Sequence, residues 1–302
     1  MYIYVEKSGI ISIDINNNDS YRKGLINIMI KLVGLIILAI VVLYFILIMP
    51  RLFNRPDYRP FYGYYYAHRG FHDMASQQKC PENSYSAIKK AVERGYGIEF
   101  DVHLTKDNVP VVFHDDNLKR ICGVDADLRD FTYDELKRFR LLDTDERIPL
   151  FKDVLELVDG KVPLIIEYKV EKGNADTLCS ICNEMLLKYN GLYCIESFHP
   201  MAVRWYRKHR PDIVRGQLSE DFTREKMTLP YFLLAHLIGN CYAMPDFVSY
   251  NCRHRKELSR TLCRKLYRCL SVAWTVRSQK ELDEIASDFD LYIFEGFTPA
   301  KG

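Results

Sequence analysis

Apolar and polar positions along this chain fall into two regimes. Eighteen consecutive residues, 32–49 (LVGLIILAIVVLYFILIM), carry no charge, and 25–30 extend the run past a single Lys31. A helix of eighteen residues is about 27 Å long, close to the hydrocarbon thickness of a bilayer. A cleavable signal peptide has a shorter apolar stretch and small residues at its cleavage site, and Ile48-Met49-Pro50-Arg51 offers none. A buried core helix would carry polar side chains on one side. The pattern predicts one transmembrane helix over 25–49.

Beyond residue 62 the pattern changes to short apolar runs alternating with helical periodicity, the mark of parallel α/β architecture. The runs are 64–68, 97–102, 164–168, 192–197, 214–218, 247–251, 272–276 and 291–294, and all but the last precede helix-like segments such as 83–94 and 279–287. Eight strands in about 240 residues is the count and size of a (β/α)8 TIM barrel. A ninth run, 109–113, follows 99–103 after only five residues. A parallel crossover needs a dozen or more, so this strand must return as an antiparallel hairpin. Residues 117–148 then read as a small insertion near the barrel mouth. The predicted organisation is a polar tail over 1–24, the membrane helix over 25–49, a juxtamembrane linker over 50–61 with aromatics at headgroup level, and the barrel domain over 62–302.

Net charge is +2 with well-mixed charged residues, which argues against a nucleic-acid-binding surface. The nine cysteines are irregularly spaced, and the lone Cys179-x-x-Cys182 pair sits in an amphipathic helical pattern with no second ligand pair. They read as small core residues in a reducing compartment. Arg51, Arg55 and Arg59 follow the membrane segment, with Arg22 and Lys23 before it and Lys31 inside it, so positive-inside counting leans towards a cytoplasmic domain, and free cysteines point the same way.

The candidate chemistry lies where strands run out. His68-Arg69-Gly70 ends the first, Glu99 and Asp101 the second, and Glu167 and Lys169 the third, with Pro81-Glu82-Asn83 between and His114-Asp115 after the hairpin. In a barrel the carboxyl ends of strands line the active site. Period-2 geometry puts both members of Glu-x-Asp, and of Glu-x-Lys, on one strand face. Glu99, Asp101 and Glu167 then converge on one hard divalent cation, Ca2+ or Mg2+. Arg69 and Lys169 supply positive charge for phosphate oxygens, and His68 and His114 an acid–base pair. Each piece alone has an ordinary reading as an edge, a turn or a surface ion pair. Burying three carboxylates and two cations together is costly unless they are paired or metal-bound, which favours the site.

These residues, with Ser197-Phe198 and Trp274-Thr275-Val276, resemble the glycerophosphodiester phosphodiesterase family, whose pattern runs HRG, PEN, E-x-D, HD, E-x-K, SF, WTV along one barrel. The resemblance covers 64–302. It implies a metal-dependent hydrolase that releases sn-glycerol 3-phosphate and an alcohol from a glycerophosphodiester. By it His68 and His114 are catalytic, Glu99, Asp101 and Glu167 are metal ligands, Arg69 and Lys169 contact phosphate, and Phe198 and Trp274 line the substrate cleft. The chain departs from the pattern at Arg277, where the family often has Asn, and at Phe294-Glu295-Gly296-Phe297, where it often has Thr-Asp. Glu295 is expected to take over a polar contact there, or the glycerol end of the site to be rebuilt.

Other readings compete. A lysophospholipase D activity fits an anchored enzyme, with the insertion or residues 231–237 receiving an acyl chain, although an ordinary buried helix is the simpler account of 231–237. Cleavage of teichoic acid-like polymers would need the opposite membrane orientation. A catalytically inactive tethered scaffold is a different class, and the retention of every metal, acid–base and phosphate position argues against it. The expected partners are a small-molecule glycerophosphodiester or lysolipid and the membrane. Nothing in the sequence fixes an oligomeric state.

Overall fold

A computed structural model describes residues 3–5, 11–13, 16–72, 80–222 and 228–300, in two compact units that divide between Ile46 and Leu47. In the first unit, β1 (Ile3–Val5) pairs antiparallel with β2 (Ile11–Ile13), and a 32-residue helix runs Asn16–Leu47. Its stretch Ser20–Leu47 is long and apolar enough to cross a membrane. The helix begins inside the segment read as a tail and stops two residues short of the predicted end. The rest of that tail, residues 1, 2, 6–10, 14 and 15, lies outside the described residues.

The second unit is a closed barrel. Its eight parallel strands are β3 (Tyr65–His68), β4 (Gly97–Leu104), β6 (Leu164–Tyr168), β7 (Tyr193–Ser197), β8 (Arg215–Ser219), β9 (Phe247–Asn251), β10 (Leu270–Val276) and β11 (Leu291–Phe294), with β3 paired to both β4 and β11. β5 (Pro110–Val112) folds back antiparallel on the far end of β4, as the short connection requires. That pairing carries β4 on to Leu104, so Glu99 and Asp101 lie within the strand rather than at its end.

Alternation along the strands builds the interior in layers. Tyr66, Ile165, Cys194, Phe247, Val272 and Ile293 form an apolar floor together with Phe61. Gly97 lets the Tyr66 ring approach, since a Cβ there would stand 2.6 Å from it. Two residues further along four of these strands come His68, Glu167, Glu196 and Glu295. The layer above the floor is therefore ionisable. Helices such as Tyr85–Arg94, capped by Ser84 and stopped by a left-handed Gly95, cover the outside with their apolar faces. Residues 117–148 carry their own apolar cluster, including Leu118, Ile121, Leu128, Leu136 and Leu141, beneath β5. Cys179 and Cys182 are buried in the barrel's outer core and all nine cysteines are free.

Residues 48–61 are strapped to the barrel. Ile48 is buried, and its carbonyl accepts from Asn240 Nδ2 at 3.2 Å and Cys263 Sγ at 3.3 Å. Arg55 donates to the carbonyls of Tyr267 and Arg268 at 2.9 and 2.7 Å, just past the C-terminus of helix Leu258–Lys265. Phe61 is in the barrel floor, and its carbonyl accepts from Tyr66 Oη. Arg51 reaches Asp246, which also pairs with the buried Arg215 at 3.4 Å. Two of the three arginines counted for topology thus have a structural task. Removing Asp246 would leave Arg215 buried and uncompensated, so Asp246→Ala is expected to cost about 3–5 kcal/mol. Urea unfolding of the full chain measures this, and a loss below about 1 kcal/mol would contradict it.

Candidate active site

The His-Arg-Gly turn follows from backbone sterics. Arg69 and Gly70 both take left-handed conformations, with φ of 54° and 80°. A Cβ on Gly70 would lie 2.8–2.9 Å from Ala87, so only glycine fits against helix Tyr85–Arg94. The turn aims the Arg69 amide at Glu99 Oε2, 3.1 Å away. Asn83, also left-handed, donates its own amide to the Arg69 carbonyl and its Nδ2 to Asp101 Oδ2 at 2.9 Å. The His-Arg-Gly and Pro-Glu-Asn segments therefore interlock over β4 and orient two of its carboxylates.

Sheet register does the rest. Asp101 lies beside Glu167, and Glu167 beside Glu196. Glu99, Asp101 and Glu167 are buried, each offering an oxygen within 4.8 Å of the others. Lys169 Nζ, one residue beyond β6, sits 2.9 Å from Asp101 Oδ1 and 2.6 Å from Glu167 Oε1. Burial and the adjoining Asp101 and Glu167 charges push the Glu99 carboxyl well above its usual range. Burial also carries Glu167 up to about 7, against the pull of Lys169. Asp101 goes the other way: burial opposes its ionisation, but Lys169, His114 and Arg69 hold it well below the usual range. A crowded, buried, all-oxygen donor set of this kind fits a hard divalent cation.

Both histidines are backed by carboxylates. His68 Nδ1 bonds Glu295 Oε2, and its Nε2 lies 3.9 Å from Glu99 Oε2. Burial and the Arg69 charge lower His68 to about 4, keeping the ring neutral. His114 Nδ1 lies 2.6 Å from Asp115 Oδ1. Burial lowers this imidazole too, against the nearby Asp101 charge. Glu295 is clamped in turn by Arg277, at 2.9 and 2.8 Å. The two departures from the family pattern are thus one ion pair, and its task is to hold His68.

The structure brings together His68, Arg69, Glu99, Asp101, His114, Glu167 and Lys169. Phe198 and Trp274 meet edge to face, centroids 5.7 Å apart. Phe198 shares the lining of an open cleft of about 830 Å³ with His114 and Lys169, whereas Trp274 packs lower, against the barrel floor. Two residues were not foreseen. Arg120, from the insertion, grips Glu82 at 2.7 and 2.8 Å and Asp115 at 2.7 and 2.9 Å. Burial alone would raise Glu82, but Arg120 and Arg69 hold it down at about 2. Glu196 is buried beside Glu167 with Oε2 unpaired, and burial with that neighbour's charge raises it to about 8. Its spacing, two residues before Phe198 as Glu167 is before Lys169, was the available signal.

Helix Leu229–Ala235 is not the ordinary buried helix that 231–237 suggested. Of its own residues only Ala235 is buried, while Leu229, Phe232 and Leu233 are exposed. The reason is a second cleft, of about 520 Å³, that its inner side lines with Tyr231, Leu233 and Leu234. This cleft is mostly apolar and reaches Glu167 and Lys169.

A sequence model of the glycerophosphoryl diester phosphodiesterase family matches residues 68–289. The chain belongs to this family. Among similar proteins, a glycerophosphodiester phosphodiesterase of Caldanaerobacter subterraneus subsp. tengcongensis is 33% identical over 167 residues, 51% of this chain and 65% of the relative. One from Bacillus altitudinis is 37% identical over 169 residues, covering 52% and 66%. A lysophospholipase D of Homo sapiens is 33% identical over 154 residues, covering 47% and 46%. The matched stretches thus span less than two thirds or just under two thirds of these curated relatives. The barrel resembles a phosphodiesterase of Oleispira antarctica, solved with its product sn-glycerol-3-phosphate, with TM-score 0.64 at 20% identity over 78% of this chain and 94% of that one. A glycerophosphodiester phosphodiesterase of Thermotoga maritima gives 0.59 at 25% identity, covering 77% and 95%. The (β/α)8 barrel expected from the strand pattern is the fold found, and the family is the one the motifs resemble.

Proposed function

We propose that this member of the glycerophosphodiester phosphodiesterase family hydrolyses a glycerophosphodiester to sn-glycerol 3-phosphate and an alcohol, using one Ca2+ or Mg2+ held by Glu99, Asp101 and Glu167. The observation that carries the reading is the buried carboxylate triad standing between two histidines, each backed by its own carboxylate. The cation, when bound, supplies Lewis-acid polarisation of a phosphoryl oxygen. Arg69 and Lys169 contribute fixed positive charge beside the same position. His68, neutral and with Nδ1–H given to Glu295, presents Nε2 as the base for the attacking hydroxyl. Glu295 stabilises the imidazolium that results. His114 faces the open cleft with Lys169 and Phe198 and, in its imidazolium form, gives its proton to the departing alkoxide.

The helix Ser20–Leu47 serves in this reading as a single-pass anchor, with the barrel on the cytoplasmic side. Lysophosphatidic acid release by lysophospholipase D chemistry is the second reading, favoured by the apolar cleft that opens beside Glu167 and Lys169. The same bond breaks in both; only the group on the glycerol differs.

The test is release of glycerol 3-phosphate from glycerophosphocholine by the full chain in detergent-free nanodiscs, beside release of choline from lysophosphatidylcholine. Chelator is expected to stop turnover and added Ca2+ or Mg2+ to restore it. Turnover that survives exhaustive chelation would remove the metal from the proposal.

A further inference from the structure

Residues 228–245 (TLPYFLLAHLIGNCYAMP) form an eighteen-residue stretch without Asp, Glu, Lys or Arg, inside a domain that otherwise mixes charges evenly. Pro230, Gly239 and the chain's turns break it up, and only Leu229–Ala235 and Asn240–Ala243 are helical. Broken into helices of seven and four residues, it does not span a bilayer. Its outer side is nevertheless exposed and apolar: Leu229 is 69%, Phe232 40% and Tyr242 43% accessible. Tyr242 is fixed by Arg204 stacked over its ring at 3.7 Å and by Arg207, which donates to its carbonyl at 2.7 Å. An aromatic flanked by arginines suits the headgroup region of a membrane.

Two further observations fix what covers this surface. Asn240, in the same stretch, holds the carbonyl of Ile48, the first residue after the helix Asn16–Leu47. A helix that crosses a bilayer ends at its surface, and along the chain Ile48, held by Asn240, follows directly on the last residue of that helix. The inner side of the stretch, through Leu233, Leu234, Leu237 and Ile238, lines the apolar cleft that leads to Glu167 and Lys169. One short segment therefore runs from the residue that holds Ile48 to the wall of the catalytic cleft.

We propose that Leu229–Ala235 lies in the bilayer surface, Leu229 and Phe232 among the acyl chains, and that the cleft behind it takes the single acyl chain of a lysophospholipid directly from the membrane. The proposal rests on the anchored, lysolipid-cleaving reading above and adds the surface through which substrate enters. The glycerophosphodiester head then meets the carboxylates and histidines while the chain stays in apolar surroundings throughout. Burial of two large apolar side chains in lipid gives the contact its strength.

Two measurements on the full chain in phosphatidylcholine nanodiscs test it. In the first, Phe232→Trp is quenched by phosphatidylcholine brominated on its acyl chains, with the wild type supplying the background from Trp205 and Trp274. Added quenching in the variant is expected; none would overturn the contact. In the second, Leu229→Asp/Phe232→Asp is expected to cleave soluble glycerophosphocholine at the wild-type rate. Its turnover of lysophosphatidylcholine in the discs should fall about tenfold or more. Equal lysolipid turnover in variant and wild type would overturn the entry route. A wild type that cleaves glycerophosphocholine but no lysolipid would overturn the lysolipid reading instead, and the quenching result would still decide the contact.

Discussion

Glu99→Gln is expected to abolish turnover while leaving the barrel as stable as before or more so. Glu99 is buried among Asp101 and Glu167, with oxygens of all three within 4.8 Å, so in the absence of a cation its charge is repelled from two sides. The amide keeps an oxygen for the Arg69 backbone N–H and removes that repulsion. It also removes a third of the anionic donor set. A divalent cation that stabilises a transition state by about 4 kcal/mol accounts for about a thousandfold in rate, and a loss of at least this order is expected. The sharper readout is thermal: Ca2+ or Mg2+ should raise the melting temperature of the wild type and not that of the variant. A variant that keeps both the rate and the cation-dependent shift would show that the triad is not the metal site.

His114→Ala separates the two histidines by their tasks. If His114 protonates the alkoxide, its loss should cost about 10²–10⁴-fold with an alcohol leaving group such as choline. The loss should shrink to less than about tenfold with a nitrophenolate, which leaves without a proton. His68→Ala should impair both substrates alike, because the attacking hydroxyl must be deprotonated in either case. An equal loss on both substrates for His114→Ala would reverse the assignment. Steady-state rates with the paired substrates are sufficient to decide.

The barrel was legible because its strands are buried on both faces and therefore read as short, dense apolar runs between turns. All eight lie within a residue or two of the predicted runs, as does the reversed strand 109–113, since five residues cannot make a crossover. The length of β4 was not legible. Val102, His103 and Leu104 are strand because β5 pairs with them, and that partner is set by tertiary structure rather than by the run itself. The carboxylate cluster was readable from period-2 spacing alone. Glu196 carries no such partner on its own strand, and only sheet register places it beside Glu167. Arg120 carried no local signal at all. It lies 38 residues from Glu82 in a stretch without periodicity, and only the folded insertion brings the two together. The strap 48–61 was hidden for a similar reason: its arginines donate to backbone carbonyls, and backbone acceptors have no letter in the sequence.

Arg120 also bears on how the fold can be re-engineered or diversified. One guanidinium fastens Glu82, which steadies Arg69 on one side of the mouth, and Asp115, which steadies His114 on the other. The segment 117–148 is therefore not an interchangeable ornament whose replacement alters only the rim. A chimera that exchanges this segment must supply a fork-shaped cation at the same point, or it will inherit an intact barrel whose His114 and Arg69 have lost their common hinge pin.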